Sequence, residues 1–462
     1  MSEKKKKLVL IGLDCATPRT LFNEFIDDCP NIRKLMENGV YGKLRSSDPP
    51  ITIPAWMVMA TGKKAGTLGI YGFRHRKKFA YNDFWIATSN SVKEPTIWDI
   101  ISRKGLKSIV IGVPPTYPVK AINGNLIAGF IAPGTDSNYT YPPELKQEIE
   151  NKIGNYILDA NFRVENKTAL LKQIYEMTRI QFKTIKYLMK NKEWDFFQFV
   201  IIGLDRFHHA FWKYFDEKHE KYVPGNKFEL EMRNYYKYLD SEVGEILNLL
   251  EENVSIVVVS DHGAKAMKGL ICVNMAFEEL GLLKFKEKPK PGTRLDDAKI
   301  DWDKTYAWGW GGYYARIFLN VEGREPQGII KKEDYEKMRE LIIEKIKSIK
   351  DDSGNSMDTK VYKPEDFYTI IRGDPPDLMV YFDDLNWRSA GTVGYESMYL
   401  KENDTGPDDA VHDYYGIYII YNPRSKIGKD LGIKNILDIA PTCLNILGFE
   451  IPKDMEGNVI DF

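Results

Sequence analysis

Short apolar runs recur along the chain at wide intervals: KLVLIGL (7–13), KSIVIGV (107–113), FFQFVIIG (196–203), VSIVVVS (254–260) and GIYIIYN (416–422). Each is apolar on both alternations, so neither face of the strand it forms is suited to water. That is the pattern of strands in a parallel sheet covered by helices on both sides. The segments between them keep a different period. TIWDIISRKG (96–105), KTALLKQIYEMTRIQFKTIKYLMKNK (167–192) and KFELEMRNYYKYLDSEVGEILNLLEE (227–252) space their apolar residues along one helix face. The alternation predicts an α/β fold, a helix–sheet–helix sandwich around a mostly parallel sheet.

Between about 264 and 400 the alternation loosens. KEKPKPGTRLDDAKIDWDK (286–304) is polar and turn-rich. ARIFLNVEG (315–323) and DLMVYFDD (377–384) predict strands on either side of a helix near 332–350, and NILDIAPTCLNILG (435–448) predicts a late helix. The expected organisation is one main domain, residues 1–263 and 401–462, with residues 264–400 inserted as a cap subdomain on the substrate side.

Composition changes this picture little. The chain has 462 residues, 43% hydrophobic and 28% charged, and its 65 Lys+Arg against 66 Asp+Glu leave a net charge of −1. That balance gives no reason to expect a nucleic-acid polymer as partner. The four cysteines, Cys15, Cys29, Cys272 and Cys443, show no CxxC spacing, which fits a reduced, cytoplasmic protein. The start, MSEKKKKLVLIGLD, has a leader-like basic end, but its apolar run Leu8–Leu13 stops at Asp14. A secretory segment needs about 7–15 apolar residues and a membrane span roughly 18–20, so the run is read as the first strand, with no membrane association.

Ligands of open parallel sheets gather at the carboxyl ends of the strands. There, Asp14 follows the first run, Asp205 the third, and Asp261 with His262 the fourth. Each aspartate alone could be a helix cap. Three at one edge would repel one another unless a cation held them. In GLDRFHHAFW, Asp205 and His209 are four apart and share a helix face, whereas His208 points about 100° away and reads as a packed neighbour. Oxygen and imidazole ligands together suit Zn²⁺, with Mn²⁺ or Fe²⁺ as alternatives. In PPITIPAW, Thr52 sits where a helix begins; it is either a nucleophile in positive potential or simply a cap.

In this order, the segments GLDCATPRTL, PPITIPAW, LDRFHHAFW, VVSDHGAK, FLNVEGREPQGII and ILDIAPTCLNILG resemble the alkaline phosphatase superfamily. Within it the chain is most similar to the type I phosphodiesterase/nucleotide pyrophosphatase family, in its prokaryotic branch. The resemblance implies an alkaline phosphatase-like catalytic domain with two metal sites. Asp14, Thr52, Asp261 and His262 match the site beside the nucleophile. Asp205 and His209 match the other, whose late histidine is His412 in GPDDAVHDYYG. His75 and His219 match nothing in the pattern.

The resemblance also implies a mechanism: Thr52 attacks phosphorus, a phosphothreonine forms, and water hydrolyses it. The substrate it implies is a small-molecule phosphate ester or nucleotide. Sulfatases need a Cys or Ser in C-x-P-x-R, whereas here the spacing carries Thr52, Pro54 and Trp56. Mutases of the superfamily use Ser in another setting. A phosphomonoesterase or phosphotransferase is the alternative in the same class, and a non-catalytic binding module the alternative outside it. Ala55 stands where better-known family members carry Asn, which bears on nucleotide specificity. AWGWGGYYAR (307–316) offers aromatics that could stack a base or pack as a strand turn, and Arg74 or Arg316 could reach a phosphate.

Overall fold

The computed structural model describes residues 6–462; residues 1–5, which hold much of the basic start of the chain, lie outside it. Nine strands form one sheet: β1 (Lys7–Leu13), β2 (Val40–Arg45), β3 (Ser108–Ile111), β4 (Gly124–Ile127), β5 (Thr140–Tyr141), β6 (Phe196–Ile201), β7 (Val254–Val259), β8 (Tyr415–Tyr421) and β9 (Lys429–Asn435). Their order across the sheet is β9-β2-β8-β7-β1-β6-β3-β4-β5. β1 lies at the centre, parallel to both β6 and β7. All five apolar runs become strands of this sheet.

Alternate residues of β1 serve two cores. Val9, Ile11 and Leu13 pack with the helices Pro30–Asn38, Lys167–Asn191, Gly203–Phe215 and Glu231–Leu247. Leu8 and Leu10 pack with the helices Thr52–Thr61, Ile97–Arg103 and Ile439–Leu447 on the other face. This is the expected sandwich, and it explains why the central strands are apolar throughout. Helix ends follow local chemistry: Thr96 and Asp99 form a capping box, and the Asn166 side chain accepts from the Ala169 amide at the start of the longest helix.

Two features depart from the simple parallel picture. GIYIIYN is a buried strand, but β8 runs antiparallel to both β7 and β2. β2 and β9 carry no doubly apolar run. β2 alternates buried Val40, Gly42 and Leu44 with less buried neighbours, while β9 is a mostly exposed edge strand whose residues bury little.

Residues between Met267 and Val411, joined by Tyr81, build a third core around a four-stranded antiparallel sheet, which includes Ala307–Trp310, Ala315–Leu319 and Leu378–Tyr381, and the helix Tyr335–Lys347. The chain leaves the central sheet through the strand Gly263–Ala266 and returns through Ala410–Asp413, and these two pair antiparallel. Among the described residues, no helix is long and apolar enough to cross a membrane. The four cysteines are buried and unbridged.

Candidate active site

β1, β6 and β7 end at the same edge of the sheet, and the side chains that follow them converge there. Asp14 comes directly after β1, Asp261 two residues after β7, and Asp205 in the first turn of the helix Gly203–Phe215. Asp205 makes no capping hydrogen bond to its helix. Thr52 opens the helix Thr52–Thr61, where Ile51 holds the cap position, so the hydroxyl is not used as a cap. Thr52 Oγ1 lies 3.2 Å from His262 Nε2 instead. His412 arrives on the returning strand, opposite Ala264.

The structure brings these residues together. His262 Nε2 stands 3.2 Å from Asp261 Oδ2 and 3.8 Å from Asp14 Oδ1. His209 Nε2 stands 3.3 Å from Asp205 Oδ1. The His412 ring stacks on His262 at 3.7 Å and lies 5.3 Å from His209. Three clusters place their ligand atoms within 4.8 Å of one another: Asp14 with Asp261 and His262; Asp205 with His262 and His412; and Asp205 with His209 and Cys15. Asp205 therefore meets His209 and His412 in separate clusters, and Cys15 joins the site without any signal in its spacing.

Each histidine is oriented by its other nitrogen. Nδ1 of His209 meets Asp408 Oδ1 at 2.8 Å, Nδ1 of His412 meets the Pro50 carbonyl at 2.8 Å, and Nδ1 of His262 meets the Gly263 carbonyl at 3.1 Å. A carbonyl or carboxylate can only accept, so each Nδ1 donates. Burial keeps His262 and His412 neutral, with the Nε2 lone pair turned inward. At His209 the carboxylates of Asp408 and Asp205 outweigh burial and push the ring up to about 9, so that a cation at its Nε2 would take the place of a proton. His208 does not join them. Its Nε2 meets the Tyr236 hydroxyl at 3.0 Å and its ring packs edge-on to Trp212. His75 accepts from the Tyr71 amide and stacks on Trp85, and His219 meets the Asp409 carbonyl.

Asp14 Oδ1, Asp205 Oδ1, Asp261 Oδ2 and His209 Nε2 are buried without a hydrogen-bond partner. Buried acceptors facing one another carry a heavy desolvation cost unless a cation joins them, so this donor set fits divalent metal. Burial and the charge of Asp205 push the Asp14 carboxyl well up, and burial and Asp14 do the same to Asp261. Burial also raises Asp205, but His209 and Arg206 outweigh it and hold that carboxyl down. Burial pushes His262 down to about 4, which keeps its imidazole neutral and able to ligate.

Two supports escaped the sequence reading. Trp56, which stands where sulfatases carry arginine, donates Nε1–H to Asp14 Oδ2 at 2.7 Å. A Cβ on Gly12 would stand 2.5 Å from the Trp56 ring, so the glycine in β1 makes room for it. Asp408 accepts from His209, from Arg388 at 2.8 Å and from Arg163 at 3.1 Å. Burial raises Asp408, but His209 and the two guanidiniums outweigh it and hold the carboxyl down to about 2. Only its position, four before His412 in GPDDAVHD, could have marked it.

Thr52, Asp205 and His412 open into a cavity of about 670 Å³. Arg74, Arg163, Arg206, Arg316 and Arg388 also line it. Within AWGWGGYYAR, Trp308 and Trp310 are packed in the third core, while Tyr313 stacks on His412 at 3.8 Å. Ala55 is fully buried and faces the core.

The family model described as type I phosphodiesterase / nucleotide pyrophosphatase matches residues 8–408. The chain belongs to that family. It is accordingly a phosphodiesterase/pyrophosphatase-type hydrolase. By sequence, the chain matches no curated protein. By structure, it resembles human ectonucleotide pyrophosphatase/phosphodiesterase 5 with a TM-score of 0.58 at 14% identity, over 98% of this chain and 97% of that one. The murine counterpart, solved as an inactive threonine-to-alanine variant in complex with AMP, matches with a TM-score of 0.56 at 13% identity, over 97% and 96%. The fold is alkaline phosphatase-like.

Proposed function

We propose that the chain hydrolyses phosphodiester or pyrophosphate bonds of small-molecule phosphate esters, nucleotides among them, with Thr52 as nucleophile and two divalent cations. The observation that carries this reading is the position of Thr52 Oγ1, 3.2 Å from His262 Nε2, among buried ligand atoms that have no other partner. Asp14, Asp261 and His262 would hold one ion beside Thr52, and Asp205, His209 and His412 the other. Zinc suits the mixed oxygen and nitrogen donors, with manganese or iron as alternatives. When bound, such ions lower the pKa of a hydroxyl or water and offset charge on the phosphoryl oxygens.

The chain's own residues supply the rest. Thr52 Oγ1 forms the new P–O bond as the ester oxygen leaves, giving a phosphothreonine, and water then cleaves it. The first turn of the helix Thr52–Thr61 faces this charge with its positive end. Trp56 holds Asp14, and Asp408 orients His209. The murine relative solved with AMP and its inactive threonine variant support a nucleotide-like ligand and a working threonine.

Residues 264–400 act in this reading as the cap on the main domain, residues 1–263 and 401–462, contributing Tyr313 and arginines to the cavity. The buried, unbridged cysteines support a reduced compartment, the cytoplasm. The arginine-lined cavity favours a second reading, phosphomonoester hydrolysis, and comparing diester with monoester turnover separates the two.

The test of the main reading is Thr52→Ala. It should abolish turnover of bis-p-nitrophenyl phosphate, by about 1000-fold or more, while metal content stays near two per chain. Turnover close to that of the wild type would overturn the nucleophile assignment.

A further inference from the structure

Four of the five arginines around the cavity are paired with acids. Arg206 bonds Asp159 and Asp205, Arg163 and Arg388 share Asp408, and Arg74 reaches Asp296 at 3.3 Å. Arg316 differs. It is only 8% exposed, yet among the described residues no carboxylate lies within ion-pair distance of it. Its Nη1 donates to the carbonyl of Arg74, a neutral acceptor, and its guanidinium lies over the ring of Trp310, its cross-strand neighbour. Arg74 lies over the same ring, so two cations flank one indole.

A guanidinium stays charged in proteins, and burying one without an anion is unfavourable. Natural sites keep such a group where a ligand supplies the missing charge. Arg316 is placed for that: it lines the cavity onto which Thr52, Asp205 and His412 open. Gly72 also lines this cavity, and a Cβ there would stand 3.4 Å from Arg316 Nη1. The aromatic residues Phe73, Phe130 and Tyr314 line the same space and suit the apolar body of a substrate.

We infer that Arg316, with Arg74 beside it, forms an anion subsite, and that the substrate is a phosphodiester or pyrophosphate carrying a second anionic group, phosphate or carboxylate, on the arm that reaches this subsite. The inference rests on the reading of Thr52 as the hydrolytic centre and adds the class of substrate. Fork-shaped pairing of a guanidinium with an oxyanion gives orientation as well as attraction. The scissile bond would be selected by its distance from the second charge.

The test uses p-nitrophenyl diesters whose other arm is an alkyl tether ending in phosphate, carboxylate or hydroxyl, over a ladder of tether lengths. The wild type should favour a charged end over hydroxyl at one tether length, by about tenfold or more in kcat/KM. The carboxylate and phosphate series identify which anion is preferred. In Arg316→Gln the ratio of charged to hydroxyl substrate should fall to near one, and Arg316→Lys should keep part of it. Because the readout is a ratio within one protein, general damage to the fold does not imitate it. Equal turnover of charged and hydroxyl esters at every length, or a ratio that survives Arg316→Gln, overturns the subsite alone. A wild type that hydrolyses none of the esters overturns the phosphodiesterase reading and the subsite with it.

Discussion

Two parts of the same cavity carry opposite chemistry. One is built where β1, β6 and β7 end, and there acceptors outnumber donors: Asp14, Asp205, Asp261 and His209 present buried atoms with no partner. The other is built by the strand Ala315–Leu319 and the hairpin of Arg74–Arg76 with Phe84–Ile86, and there, among the described residues, a buried guanidinium, Arg316, has no acid within ion-pair distance. An excess of acceptors calls for cations and an excess of donors calls for an anion. Asp408 stands between the two kinds of chemistry, accepting from His209 on one side and from Arg163 and Arg388 on the other. On the proposed reading, the protein leaves charge unbalanced locally where a ligand would complete it, and balances it elsewhere.

The comparison breaks most sharply if the acceptors need no cation. Removing metal with a chelator should suppress diester turnover by about 1000-fold or more, and zinc should restore it. Unfolding followed by heat should show a lower Tm for the stripped protein, because three buried carboxylates then face one another.

Next in size is the contrast between adjacent histidines. His209→Ala should lose bound metal, measured by elemental analysis, and at least about 100-fold in turnover. His208→Ala should keep its metal and lose stability through the Tyr236 and Trp212 contacts. Equal metal loss in both would show that helical facing does not choose the ligand. Asp408→Asn should be milder, weakening metal affinity about 10–100-fold in a competition titration with a chromophoric chelator. Trp56→Phe should be smallest. It keeps an aromatic ring beside Gly12 but removes the donor to Asp14 Oδ2, costing about 1–3 kcal/mol in urea unfolding with a few-fold change in turnover.

The acceptor-rich part of the cavity was largely legible in the sequence, whereas of the arginine-rich part only Arg74 and Arg316 were candidates and Arg163, Arg206 and Arg388 were not. Asp14, Asp205, Asp261 and His262 follow strands whose apolar runs announce them, and His209 follows from helix spacing. His412 was reachable only through resemblance, since it lies about 150 residues from His262. Asp408, Cys15 and Trp56 look like ordinary residues until three-dimensional packing sets them against a ligand. Arg163 and Arg388 come from separate segments, and no local pattern links them. The same contrast holds for the fold. Doubly buried strands declare themselves, whereas β2 and β9 are held by pairing rather than by apolar content. The direction of β8 was hidden because a strand buried on both faces reads the same whichever way it runs.

That reversed strand has a consequence for how the molecule can vary. Because β8 runs against β7, the chain returns to the sheet at the edge it left from. The outgoing strand Gly263–Ala266 and the returning strand Ala410–Asp413 are hydrogen-bonded side by side. Everything between Ala266 and Ala410 therefore hangs from a closed stem. The entropy of closing a loop grows only slowly with its length, so the turns within that segment can be lengthened or shortened at modest cost, provided Asp408, which orients His209, and the residues packed on the main core, such as Tyr368 and Tyr381, are kept. Substrate preference can be rebuilt within that segment while His262 and His412, one on each side of the stem, keep their positions.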